Sequence, residues 1–259
     1  MKQPVLIIVL LTLITAGCAA PKKIHLFRLF DPNHAPSASD ESADESFDRL
    51  ADELEEQKAA VPDPLEPLNR LMFQANDRFY FWILKPVAKT YKGITPEPVR
   101  ISVSNFFNNL ATPIRFANCL LQGKGDSAGT ELRRFTINTT VGILGFGDPA
   151  RDKYGLHQTN EDLGQTLGVL GFKNGFYLIL PILGPSTLRD SVGFVGDQFL
   201  NPVRYVKPTE ASVGISAGNI TNETTFHIGE YEGLKSDALD PYVATRNIYI
   251  QYRNKKVQE

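Results

Sequence analysis

"TPEPVRISVSNFFNNLATPIRFANCLLQG", residues 95–123, reads as two short helices separated by a tight turn. Thr95 is placed to cap the first helix, with Pro96 just inside it. Val99, Val103, Phe106, Phe107 and Leu110 then recur at helical spacing. Pro113 opens the next segment and Gly123 closes it. The same punctuation recurs on both sides. Upstream, "DPLEPLNR" offers Asp63 as an N-cap, Pro64 at the first helical position and Glu66 at the third, with Pro67 blurring the start. Downstream, residues 126–141 carry Leu132, Phe135 and Val141 on one side, and "SDALDPYVATRNIYIQYR" repeats the Asp-Pro start at Asp240 and Pro241. "GFYLIL" reads as a short strand, which does not change the class. The expected fold is mainly α: one domain of short amphipathic helices over residues 63–259, long enough to bury a sizeable core.

Several stretches sit poorly in a water-soluble domain. In "RFYFWILKPVAKTY", residues 78–91, six apolar or aromatic residues run consecutively, so a helix here is apolar most of the way round. Phe79, Tyr80, Phe81 and Trp82 beside Lys85 suit a membrane–water interface, where rings sit at head-group level and lysines snorkel outward. A buried core helix is the competing reading. "GFKNGFYLILPILGPSTLRD", residues 171–190, is either a core connection or a segment dipping into lipid, which would require a cavity beside it. Gly164, Gly168 and Gly171 place small residues on one helical side, where backbones can approach. Gly142, Gly145 and Gly147 in "TVGILGFGDP" make an apolar, pliable loop, read as a hinge or tight hairpin. Its spacing is wrong for a nucleotide-binding loop. No run in this part reaches membrane-spanning length, and no sustained alternation marks an outer-membrane barrel.

The N-terminus sets the compartment. Lys2, an apolar run from Val5 to Ile14 and small residues before Cys18 resemble a bacterial lipoprotein signal, residues 1–17. The thiol of Cys18 would then carry covalent lipid (diacylglyceryl with an added acyl chain such as palmitate) and become the new N-terminus. Two cysteines are too few for a metal cage or a disulfide scaffold, and Cys119 lies among apolar residues as a small buried hydrophobe. Residues 18–62 read as an acidic flexible tether, with a short amphipathic helix through Phe47, Leu50 and Leu54 as the alternative. A formal charge of −2 and the lack of a basic stripe give no reason to expect nucleic acid.

"DPLEPLNR", "KPVAKTY", "SNFFNNLATP", "LLQG", "RRFTINTTVGILGFGDPA", "EDLGQTLGVLG", "LPILGPSTLRD" and "DPYVATR" together, in this order, resemble the MlaA/VacJ family of outer-membrane lipoproteins. The resemblance implies a ring of helices around a central amphipathic channel, lying in the inner leaflet on the periplasmic side of the outer membrane. It implies removal of mislocalised phospholipids from the outer leaflet, maintaining lipid asymmetry. It further implies a trimeric porin as neighbour and a soluble, MlaC-like periplasmic carrier as recipient. The loop at Gly142, Gly145 and Gly147 matches the family's hairpin beside the channel, so a gating role is expected there. Arg133, Arg134, Arg189 and Asp190 are candidates for a polar wall, although salt bridges or solvated faces are commoner uses. The competing function is a structural lipoprotein that braces a porin without moving lipid.

An enzyme is not expected. There is no G-x-S-x-G, Ser186 has no evident partner, and His25 and His34 lie in the tether. His157, near Glu161 and Asp162, fits a solvated loop before a helix cap. Neither a metal nor a cofactor beyond the lipid on Cys18 is expected.

Overall fold

The computed structural model describes residues 61–259. The signal segment, Cys18 and the tether up to residue 60 lie outside the described residues. Proline occupies the first or second position of α1 (Glu66–Phe79), α2 (Lys85–Ile94), α3 (Glu97–Leu110) and α4 (Thr112–Leu121). In α1, α3 and α4 its missing N–H would have no intrahelical partner, so the ring fixes φ without losing a bond. α5 (Gly125–Thr140) and α6 (Pro149–Asp152) follow, then α7 (Leu163–Val169) and a hairpin of β1 (Tyr177–Leu180) and β2 (Gly184–Thr187). The chain continues through α8 (Leu188–Asp197), two 3-10 turns, α9 (Thr209–Thr224), α10 (Glu230–Asp237) and α11 (Pro241–Gln258).

Asp240 caps α11 as expected, accepting from the amides of Tyr242 and Val243 at 2.9 and 3.2 Å. Two other expected caps are displaced. α1 begins at Glu66 after Leu65, and Asp63 instead accepts from Asn69 Nδ2 at 2.8 Å, Arg246 Nη1 at 3.1 Å and the Tyr242 hydroxyl. Tertiary pairing outcompetes a local cap for that carboxylate. α3 begins at Glu97 after Pro96, and Thr95 ends α2. The folded region also starts slightly earlier than residue 63, because Val61 is buried and Pro62 O accepts from Tyr177 N at 3.0 Å.

α1 and α2 are one helical run joined by a π-helical turn, Tyr80–Leu84, in which Lys85 N–H bonds to Tyr80 O. Pro86 stands just beyond and has no N–H to offer, while its ring crowds the preceding turn. A wider turn at that point relieves the conflict.

The hairpin is antiparallel, with Tyr177 opposite Thr187 and Leu180 opposite Gly184. Its free edge is held by two asparagines of α1. Asn69 donates to Tyr177 O at 3.1 Å and accepts from Ile179 N at 2.9 Å. Asn76 donates to Leu180 O at 2.9 Å and accepts from Ile182 N at 2.7 Å. Seven residues is two helical turns, so both amides meet one strand. Tyr177 and Ile179 pack with Val61, Tyr242 and Ile250 in the principal apolar cluster. "FYLILPILG" is therefore the core connection of the two readings.

Two glycine positions matter for packing. A Cβ on Gly193 would lie 2.2 Å from Gly164 N, so α7 and α8 touch through backbone. Gly168 likewise faces Val257 and Arg189, whereas Gly171 lies beyond the helix at φ 93°.

Candidate lipid-facing surface and polar recess

Burial in this domain is inverted relative to a water-soluble one. Among the described residues, 12 apolar side chains are buried against 21 polar or charged ones, while 31 large apolar side chains are exposed. α8 shows how the pattern arises. Leu188, Val192, Val195 and, just beyond, Phe199 are exposed at helical spacing, while Arg189, Asp190, Gly193 and Asp197 are buried. α5 repeats it: Leu132 and Phe135 face out, and Ala128, Glu131, Arg134 and Asn138 face in. The apolar stripe expected from residues 126–141 is present, on the outside.

Most of the buried polar groups pair with one another, while Tyr177 Oη, Gln165 Oε1 and Asn222 Oδ1 have no protein partner among the described residues. Arg253 on α11 reaches Asp162 Oδ2 at 2.6 Å and Asp190 Oδ1 at 3.0 Å, and Tyr249 donates its hydroxyl to Asp190 Oδ2 at 2.8 Å. Burial opposes ionisation of both carboxyls, yet Arg253 outweighs it and holds each below the usual range. Asp197 accepts from Asn118 Nδ2 and Leu163 N at 2.9 and 3.0 Å and has no such cation in contact. Burial pushes it up to about 6.

A small polar recess lies among α3, α4, α5 and the segment into α6. Asn105, Asn108, Asn109, Thr112, Arg115, Arg134, Asn138 and Asp148 line it, and its volume is ≈ 10 Å³, about one water. Arg134 bridges to Asp148 at 2.8 Å and also donates to Leu156 O. Asn138 donates to Asp148 at 2.8 Å and accepts from Ala150 N at 3.0 Å. Burial raises the Asp148 carboxyl, but Arg134 and Asn138 win and hold it low.

The glycine loop abuts this recess. Gly145 packs on Asn109: a Cβ there would sit 2.5 Å from Asn109 Cβ, at φ +91°. Phe146 stacks on Phe106 at 4.8 Å, and its carbonyl accepts from Asn105 Nδ2 at 3.4 Å. Gly142 is equally confined, with Asn138 O 2.5 Å from a built Cβ, and Gly147 N bonds to Gly142 O at 2.8 Å. Ile143 and Leu144 hold φ of 53° and 58°, a left-handed conformation that is strained for a β-branched residue. Both are exposed. The loop is a run of tight turns rather than a strand hairpin.

The residues expected at a membrane interface divide. Trp82 is 76 % exposed, beside exposed Ile83 and Val87. Tyr80 is buried and donates to Glu232 at 3.0 Å, Lys85 pairs with Glu232 at 2.6 Å, and Phe81 lies under Lys85 and Lys235. Phe79 is partly buried. The run thus has one face clamped to α10, as a core helix would, and one face outward. Arg134, Arg189 and Asp190 are in ion pairs, and Arg133 is on the exposed face of α5. His157 is exposed, Asp162 caps α7, and Ser186 bonds to Ser191 at 2.8 Å. The asparagines of α3 and Arg115 were not singled out from sequence; their signal is a polar residue wherever α3 and α4 turn inward.

Together these features define a class: a mainly helical protein with apolar groups outside, polar groups inside and, among the described residues, no helix long and apolar enough to cross a membrane. The family model for the MlaA lipoprotein matches residues 61–256. The chain belongs to the MlaA lipoprotein family. The Escherichia coli K12 intermembrane phospholipid transport system lipoprotein MlaA is 34% identical over 195 residues, covering 73% of this chain and 76% of that protein. The Haemophilus influenzae protein of the same name is 33% identical over 211 residues, covering 76% and 80%. A solved structure, described as the structural basis for maintenance of bacterial outer membrane lipid asymmetry, aligns with TM-score 0.68 and 31% identity. It covers 76% of this chain and 99% of its own.

Proposed function

We propose that this protein is an outer-membrane lipoprotein, anchored through Cys18 on the periplasmic side, that gives misplaced phospholipids a path out of the outer leaflet. The observation that carries the reading is the inverted burial: 31 large apolar side chains outside and 21 polar ones inside. An apolar exterior is stable among acyl chains. A polar interior lowers the cost of moving a charged head group through hydrocarbon, on the order of 3 kcal/mol per charge on insertion scales. The relatives' printed role in intermembrane phospholipid transport supports the same reading.

The recess of ≈ 10 Å³ is too narrow for a head group while Gly145 and Phe146 rest on α3. Displacing the loop widens it, and the strain at Ile143 and Leu144 favours a second loop state. The loop of Gly142, Gly145 and Gly147 is therefore the gate. The protein supplies a path rather than catalysis, with direction set by partners: a trimeric porin beside it and a soluble periplasmic carrier that receives the lipid. Trp82, Ile83 and Val87 sit at the membrane interface.

The test is deletion of the gene with labelling of surface-exposed phospholipid, followed by rescue with the wild type and with Cys18→Ala. Surface phospholipid rises in the deletion strain and is restored by the wild type alone. Normal surface lipid in the deletion strain refutes transport and leaves the bracing role.

A further inference from the structure

We propose that Arg115 is the phosphate-contacting residue of the recess, its Nη1 donating to the phosphodiester of a passing glycerophospholipid. The inference rests on the reading of the recess as part of the lipid path, and it names the group that reads the head group.

Two guanidinium groups line the recess, and they differ in what they have left to give. Arg134 spends Nη1 on Leu156 O and Nη2 on Asp148. Arg115 is held in plane by Nε to Glu131 at 2.8 Å, and by Nη2 to Asn108 O at 2.9 Å and Thr112 Oγ1 at 3.1 Å. Its Nη1 has no protein hydrogen-bond partner among the described residues. A guanidinium fixed by three bonds with one N–H group unspent is pre-organised to donate to a phosphate oxygen.

Charge sets the strength of the contact. Glu131 is fully buried, and its other oxygen accepts from Thr159 N and Oγ1 at 2.6 and 3.1 Å. It therefore stays with Arg115 and offsets its charge at a distance. What reaches the recess is a directed donor rather than a strong cation, which suits a ligand that must leave again. The amide oxygen of Asn105 accepts no hydrogen bond among the described residues, so it is available to the ammonium or hydroxyl that follows the phosphate in common head groups. One donor beside one acceptor fits a single phosphodiester with a small donor-bearing substituent.

The experiment places a photo-crosslinking residue at position 108 of the full-length, membrane-anchored protein, in cells fed radiolabelled phosphate. The contact from Asn108 to Arg115 is through backbone, so it survives this replacement. Arg115→Lys keeps Glu131 paired but lacks the second fork nitrogen; Arg115→Gln with Glu131→Gln keeps the pair neutral and hydrogen-bonded. Each variant is first checked for an unchanged melting profile, and either one that folds decides the question. Labelled phospholipid is expected on the parent and to fall about fivefold in the variants, as for loss of one net hydrogen bond. Equal labelling in a folded variant overturns the role of Arg115 and leaves the path standing. Label absent from position 108 but present from position 143 overturns the recess as the head-group station. Label absent from both, with normal surface lipid in the deletion strain, overturns the path itself.

Discussion

Placing lysines on the outward stripe of α8 separates a lipid-facing surface from a merely exposed one. Val192 and Val195 are 56% and 53% exposed, so little packing is lost on replacing them. In water, Val192→Lys and Val195→Lys should each change stability by no more than about 0.5 kcal/mol. In a leaflet the outcome differs. A lysine at helix centre costs about 2.5–3.5 kcal/mol on insertion scales, and snorkelling toward the head groups roughly halves that. At about 1.4 kcal/mol per factor of ten, each substitution should weaken membrane partitioning roughly 10- to 20-fold. The assay is flotation with phospholipid vesicles, using a Cys18→Ala background so that acyl chains do not hold the protein. Glu210→Lys, at the exposed polar start of α9, controls for added charge. Partitioning that is unchanged in the double variant, with melting also unchanged, would refute the assignment of this face to lipid.

Other expectations concern the interior. Replacing Arg253 with Met leaves Asp162 without its cation and Asp190 with only Arg189 and Tyr249, and should cost about 3 kcal/mol, read as a melting point lower by roughly 6–12 °C. The raised carboxyl of Asp197 binds a proton in the folded state between its value of about 6 and the unfolded value near 3.9. Its contribution to stability is therefore favourable at acid pH and falls as pH rises through that window. Asp197→Asn should remove that slope from a melting-point-versus-pH series, and an unchanged slope would exclude this residue as its source. Asn76→Ala leaves Leu180 O and Ile182 N of the hairpin without their partner, costing about 1–3 kcal/mol and speeding amide exchange at Ile182. Gly145→Val combines a left-handed φ with a Cβ clash on Asn109; it should destabilise the fold by about 2 kcal/mol or more and so is unsuited to testing the gate.

Much of the architecture is legible in the chain because its signals are local. Proline and Asp-Pro starts, helical spacing and the strand of "GFYLIL" depend on neighbours within a turn or two, and they place α3, α4, α5, β1 and α11. Asp63 and Thr95 show where local reading stops. Each has the chemistry of a cap, but Asp63 finds stronger partners 179 and 183 residues away, and the helix beside Thr95 starts one residue later. The widened turn before Pro86 likewise follows from a proline visible in sequence, but its clamp by Glu232 and Lys235 comes from a distant helix.

By itself the sequence determined the helical class, the family resemblance and the periodicity of each stripe. Only the tertiary structure decided which way those stripes face. Helical spacing is the same whether an apolar face points to a protein core or to lipid, so Leu132 and Phe135 read alike in either case. The direction is set by where the polar partners meet. Glu131, Arg134, Asn138, Asp190 and Asp197 satisfy their charges and hydrogen bonds against inward-facing partners on other segments, namely Arg115, Asp148, Arg253 and Asn118, and bringing these together turns the apolar side outward.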